Sequence, residues 1–219
     1  MRGSSQTSLD QAKAILDSDF AAPTLAQQLS STLFGLLDAL DSAPALGRLL
    51  ANPNRPVAAK TGVIKQILAE QSPAVVGFAE HLVRARWSHD ADLAEAVEQL
   101  AVAASLNVIT SNDGSLMAFE QAVFDFDRLC AAHCPLRLAL ADPQAPPAAG
   151  RQLVEQLSGL TGVSLSLLQR AVLQRRGRSL AASLLHLGQT TAARRGRLIA
   201  QVTAGQPLRD NQLKRLEEL

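Results

Sequence analysis

The fourteen residues Leu46 to Ala59, LGRLLANPNRPVAA, return ninety positions later as Leu136 to Ala149, LRLALADPQAPPAA. Seven positions are identical at that offset: Leu46/Leu136, Leu50/Leu140, Ala51/Ala141, Pro53/Pro143, Pro56/Pro146, Ala58/Ala148 and Ala59/Ala149. Asn52 and Asp142 stand at one of the others, and both have short side chains that close a turn by bonding their own backbone. Each proline drives the residue before it out of the helical region, and proline suits the first turn of a new helix. Each occurrence therefore predicts a helix end, a tight corner and a helix start. Phe34/Phe124, Gln66/Gln156 and Arg86/Arg176 extend the echo at the same offset, and Leu93-Ala94 matches Leu180-Ala181 after dropping three residues. A period this long exceeds that of solenoid repeats, so the chain reads as one small domain duplicated.

The residues between the corners predict helices. Aromatics make up 3% of the chain and Tyr is absent, so the apolar content is Leu, Ala and Val, a mixture that favours helix over strand. Thr7 and Asp10 form a possible capping box for a first helix carrying Leu9, Ala12, Ile15 and Leu16. After Pro23, a stripe of Leu25, Leu29, Leu33, Leu36, Leu37 and Leu40 has three-four spacing. A short helix from Pro44 ends at Asn52-Pro53. Val63, Ile64, Ile67 and Leu68 follow, then Val75, Val76, Ala79, Leu82 and Val83 after Ser72-Pro73.

A long helix from Asp90 carries Leu93, Val97, Leu100 and Ala104 and breaks at Ser111-Asn112-Asp113-Gly114. The programme repeats with Phe119, Val123, Phe124 and Leu129, then the Asp142-Pro143 corner, Leu153, Val154 and Leu157, then Leu165, Leu168 and Val172, then Leu180, Leu184 and Leu187. Each stripe is expected to be one-sided and to be shared with its neighbours in a bundle. Near the end, Leu198, Ala200, Val202 and Ala204 alternate as in a strand, and Leu208 to Leu219 reads as the opening of a helix. The expected fold is all-α: two tandem related helical bundles, residues 1–110 and 111–196, followed by the start of a small α/β region, residues 197–219, with one strand and one helix.

Charge narrows the partners. The total is +1, so no global field draws the chain to nucleic acid or an anionic membrane. Yet residues 1–139 sum to −5 and residues 140–219 to +6, which suits the C-terminal third to an acidic partner. The N-terminus has no secretory pattern, and the charge-free run from Phe20 to Leu37 holds too many polar residues to span a bilayer. Without an export signal, Cys130 and Cys134 are expected as reduced thiols.

Motifs for chemistry are wanting. Cys130, His133 and Cys134 lack zinc spacing and a second cluster, and Leu40, Ala43 and Pro44 stand at the corresponding positions of the first repeat, so they read as core or surface residues. Lys60-Thr61 lacks phosphate-cradling glycines; His81, His89, His133 and His186 are scattered. No catalytic, cofactor-binding or metal residue is assigned, and no cofactor is expected. The two RRGR clusters, Arg175–Arg178 and Arg194–Arg197, admit a free helical adaptor or regulator that contacts nucleic acid. Against it stand the near-neutral total, the lack of interleaved aromatics and the helix-boundary placement, where arginines meet the negative end of the helix dipole. Trp87, beside Arg86, reads as a core-edge residue rather than a binding platform.

Several passages resemble a known family: MRGSS, LFGLLDAL followed by PALGRLLANPNRPVAAK, VRARWSHDADLAEAVEQLAV, RRGRSLAASL and AARRGRLIAQVTAGQPLRDNQLKRL. The chain is similar along its whole length to the δ subunit of F-type ATP synthase, in the longer actinobacterial form. That resemblance implies a duplicated helical domain, matching the echo, and a non-catalytic stator subunit of a proton-translocating synthase. It implies that a helical domain binds the N-terminal helix of an α subunit and that the C-terminal region binds the peripheral-stalk b subunit. The rest of that region, with its glycine-pair motif, is not in this sequence, so an α/β piece begun and not completed is expected. Placement would be peripheral, on the cytoplasmic face of the cell membrane, without nucleic acid and without direct membrane insertion.

Overall fold

The computed structural model describes residues 3–111, 115–142, 144–196 and 212. Every regular element among them is a helix: α1 (Ser4–Asp19), α2 (Pro23–Ser42), α3 (Pro44–Ala51), α4 (Val57–Ile67), α5 (Pro73–Arg84), α6 (Asp90–Thr110), α7 (Ser115–Ala132), α8 (Cys134–Ala141), α9 (Pro147–Ser158), α10 (Gly162–Leu173) and α11 (Leu180–Arg194). The strand expected over 198–204 and nearly all of the helix expected over 208–219 lie outside the described residues; Gln212 is helical.

Three helix starts fall at the ninety-residue offset of the echo. Pro44 and Cys134, Val57 and Pro147, and Asp90 and Leu180 open corresponding helices. Both corners close as their residue types predict: Asn54 N–H donates to Asn52 Oδ1 at 2.8 Å, and Gln144 N–H donates to Asp142 Oδ1 at 2.8 Å. Prolines stand in the first turn of α2, α3, α5, α8 and α9, where the missing N–H has no intrahelical acceptor to lose.

Two apolar cores result. The first gathers Leu9 and Leu16 of α1, Leu29, Leu33 and Leu37 of α2, and Phe78 and Leu82 of α5. The second gathers Phe119, Val123 and Phe126 of α7, Leu168 of α10, and Leu184 and Leu187 of α11. The expected Phe124 and Leu129 are only half-buried, while Phe126 and Cys130 join the core. Along α7, buried Leu116, Phe119, Val123, Phe126 and Cys130 keep a three-four rhythm.

Helix α6 departs most from the expectation of a one-sided stripe. Its Leu93, Val97, Leu100 and Ala104 enter the first core, and its Leu106 and Ile109 enter the second. It packs against α1, α2 and α3 and also against α7, α10 and α11. A helix wrapped by both repeats must be apolar on several faces, and buried residues are distributed around it. By length and composition α6 could cross a bilayer, but 61% of its most apolar window is buried inside the protein.

Helix α1 corrects the capping expectation. It begins at Ser4, upstream of Thr7, and Thr7 Oγ1 donates to Gly3 O at 3.4 Å without capping a helix start. Tertiary bonds set this start: Ser5 Oγ donates to Asp92 Oδ2 at 2.7 Å and accepts from Ser88 N–H at 2.8 Å, while Ser8 Oγ donates to Arg86 O at 2.9 Å. These bonds fasten the first turns of α1 to the α5–α6 junction. Ile67, expected in the core, is 43% exposed on the last turn of α4, and Leu157, ninety residues on, is 42% exposed on α9.

Candidate functional site

Part of the charge asymmetry of the sequence is met inside the molecule. Arginines of the second repeat reach carboxylates of the first across the seam between α2, α6, α10 and α11. Arg170 pairs with both oxygens of Asp38, donates to Phe34 O and lies over the Phe34 ring, 4.2 Å from its centroid. Arg176 grips Asp41 through Nε at 2.9 Å and Nη2 at 3.0 Å, and Glu98 through Nη1 at 2.8 Å. Arg178 takes both oxygens of Glu98, at 2.6 and 3.0 Å. Arg194 holds Asp17 at 2.9 Å and donates to Asn107. Guanidinium forks match carboxylates with two parallel bonds, so these pairs fix orientation as well as distance.

Local backbone serves the same end. After α10, Arg176 adopts φ 49° and Gly177 φ 81°, two successive left-handed residues. Glycine takes this conformation freely; for arginine it costs about 1 kcal/mol, and here the ion pairs to Asp41 and Glu98 offset it. Ser179 then caps α11, accepting from Ala182 N–H at 3.1 Å.

Glu98 is the hub. Its side chain is 14% exposed and accepts from both Arg176 and Arg178. Burial alone would raise its carboxyl, but the bonds and charges of Arg178 and Arg176 outweigh that and hold it below the ordinary value. Beside it, half-buried His186 is pushed below its ordinary 6.5 by burial, assisted by Arg178 and opposed by Glu98 and Glu95. The sign for both groups is the same. The unfolded chain takes up these protons at higher pH than the folded one, so stability declines as pH falls first below the ordinary histidine value and then below the carboxylate value. The urea midpoint is expected to drop between about pH 7 and about pH 5, and His186→Gln to flatten that drop. An unchanged slope in the variant would remove His186 from the account.

One groove borders this seam and a second lies apart from it. One, of about 440 Å³, runs between α2 of the first repeat and α9 and α10 of the second, floored by Ser105 of α6. The other, of about 550 Å³, lies on the second repeat between α7 and the end of α9, with exposed Leu157 on its wall and Asp125 as its one charged lining residue.

The residues singled out in the sequence are dispersed. Cys130 is buried, with burial foremost in pushing its thiol up to about 11, while Cys134 is exposed and accepts from Arg137 at 3.5 Å. Lys60 and Thr61 lie on the buried side of α4; burial lowers the Lys60 ammonium, and Thr61 Oγ1 donates to Val57 O at 3.1 Å. Trp87 is 3% exposed and donates from its indole to Leu82 O at 2.8 Å. Of the RRGR clusters, Arg176, Arg178 and Arg194 are engaged across the seam and Arg195 pairs with Glu120 of α7, which leaves less of their charge for phosphates; Arg197 lies outside the described residues. Glu98 and Arg170 were not singled out in the sequence, where only the −5 and +6 imbalance pointed toward them, and His186 was read there only as one of four scattered histidines.

Comparison with known proteins covers both repeats. Residues 100–219 match the family model described as ATP synthase delta (OSCP) subunit. The chain is 37% identical to the ATP synthase subunit delta of Beutenbergia cavernae, an alignment covering 100% of this chain and 82% of that protein. It is 34% identical to the subunit of the same description from Frankia casuarinae, over 99% and 81% of the two chains. With that of Streptomyces avermitilis the identity is 37% over 86% of this chain and 70% of the relative.

Proposed function

The chain belongs to the ATP synthase delta (OSCP) subunit family and is a non-catalytic subunit of the ATP synthase peripheral stalk, and from that premise we propose that it holds the catalytic head by receiving the N-terminal helix of an α subunit. Relatedness along the whole length carries the reading, and the physics of the fold supports it. Packed Leu- and Ala-rich helices form grooves that accept an amphipathic helix. A part that resists torque must also transmit it without yielding, and the shared α6 with the seam of bidentate arginines joins both repeats into such a part.

In this proposal residues 1–110 and 111–196 are sibling modules. Residues from 197 onward begin the region that meets the b subunit, and the protein works peripherally at the cytoplasmic face of the membrane. The test is a titration of the folded chain with a peptide copying the α-subunit N-terminus, followed by fluorescence anisotropy. Saturable binding is expected; a folded protein that never saturates would remove the mechanism.

A further inference from the structure

We propose that the groove between α2, α9 and α10, which exists only because the two repeats pack together, seats an amphipathic helix whose polar flank is acidic. This rests on the reading above, that the chain works by holding a partner's helix, and assigns that helix a place and a charge.

Shape comes first. The walls are faces of two helices: Gln27, Ser31 and Phe34 recur at four- and three-residue steps on α2, and Val163, Ser166, Arg170 and Leu173 do so on α10. A wall from Val163 to Leu173 runs about 15 Å, close to three helical turns. Its volume of about 440 Å³ is open along the side rather than sealed, as a helix requires and a small molecule does not.

The floor asks for apolar cover. Ser30 and Ser105 hydroxyls bond each other at 2.6 Å, and Ser105 also donates to Ala101 O at 3.0 Å, so those polar atoms are already satisfied. What remains toward the groove includes the edges of Phe34, Val163 and Leu173, each only partly buried. Their burial by an occupant is favourable in proportion to area.

Charge decides the occupant. The lining holds two arginines and no carboxylate. Arg170 is engaged by Asp38 and Phe34. Arg151, exposed on α9, has no carboxylate partner among the described residues, and its backbone is held at the groove edge by a 3.0 Å bond from Gln169 Nε2 to Arg151 O. An acidic flank complements Arg151, whereas a basic one meets like charge.

The experiment uses the full chain and two synthetic amphipathic peptides with the same leucine-bearing face, one flanked by Glu and the other by Lys. Each is titrated against wild type, Arg151→Glu and Ser166→Trp, the last placing a bulky ring in the groove at an exposed position; circular dichroism verifies folding. The Glu peptide is expected to bind wild type saturably and about tenfold more tightly than the Lys peptide, and to lose about tenfold in either variant, with Arg151→Glu reversing the preference. Equal affinity for both peptides, no saturation by the Glu peptide, or indifference to both variants would overturn the proposal. The α-subunit peptide separates the two levels. If it binds all three proteins alike, this groove is wrong and the stator reading stands; if it binds none, that reading falls too.

Discussion

Replacing Glu98 by Ala is expected to cost about 2–3 kcal/mol, because it leaves the partly buried Arg178 guanidinium without its carboxylate and Arg176 with Asp41 alone. The comparison that gives the number meaning is Asp38→Asn. Asp38 also meets an arginine across the seam, but its side chain is 51% exposed, and solvent-screened pairs of that kind contribute about 1 kcal/mol or less. Denaturant titration of both variants reads the difference directly. A Glu98→Ala loss no larger than that of Asp38→Asn would mean that the seam is decorative, and that packing of α6 alone joins the repeats.

The second large effect tests that packing. Phe119 is 1% exposed at the centre of the second core, and Phe119→Ala is expected to cost about 3–5 kcal/mol through lost burial and the cavity left behind. The chain contains a single tryptophan, Trp87, which is buried in the first core, so its fluorescence reports the first repeat alone. Because α6 lies in both cores, the Trp87 transition of Phe119→Ala is expected to move to lower denaturant together with the far-ultraviolet signal. If Trp87 keeps its wild-type midpoint while half the helicity melts early, the repeats unfold independently and α6 does not couple them.

Such coupling gives the family function a physical form. A stalk subunit carries load between its contacts, and a chain of two independent bundles would swivel at the link between them. Here the link is a continuous helix of 21 residues, flanked by ion pairs whose geometry is fixed at both ends. Glu98 in these pairs, and half-buried His186 beside them, are expected to make the joint sensitive to acid.

How far the residues could be read depended on the range of the interaction. The Asn52 and Asp142 turns were legible because a side chain bonding a backbone two residues on is a local matter. Thr7 misled for the opposite reason: one capping bond is worth about 1 kcal/mol, and the contacts of Ser5 and Ser8 with distant Ser88, Asp92 and Arg86 moved the helix start upstream. On α7 the apolar residues Phe124 and Phe126 offered competing phases, and only packing against α11 selected Phe126. The arginine clusters were visible as charge but not as partners, since no local pattern says that an acidic surface belongs to the same chain.

The amino-acid order alone determined the helices, their proline-marked corners and the ninety-residue echo of those corners, because apolar periodicity, turn chemistry and backbone restriction act within a few residues. Tertiary structure decided that α6 serves both cores, that Arg170, Arg176, Arg178 and Arg194 of the second repeat are engaged by carboxylates of the first, and that a groove opens between the repeats. Those features join side chains 78 to 177 positions apart, and such pairings are chosen only when whole helix faces compete for burial and charges lose their water together.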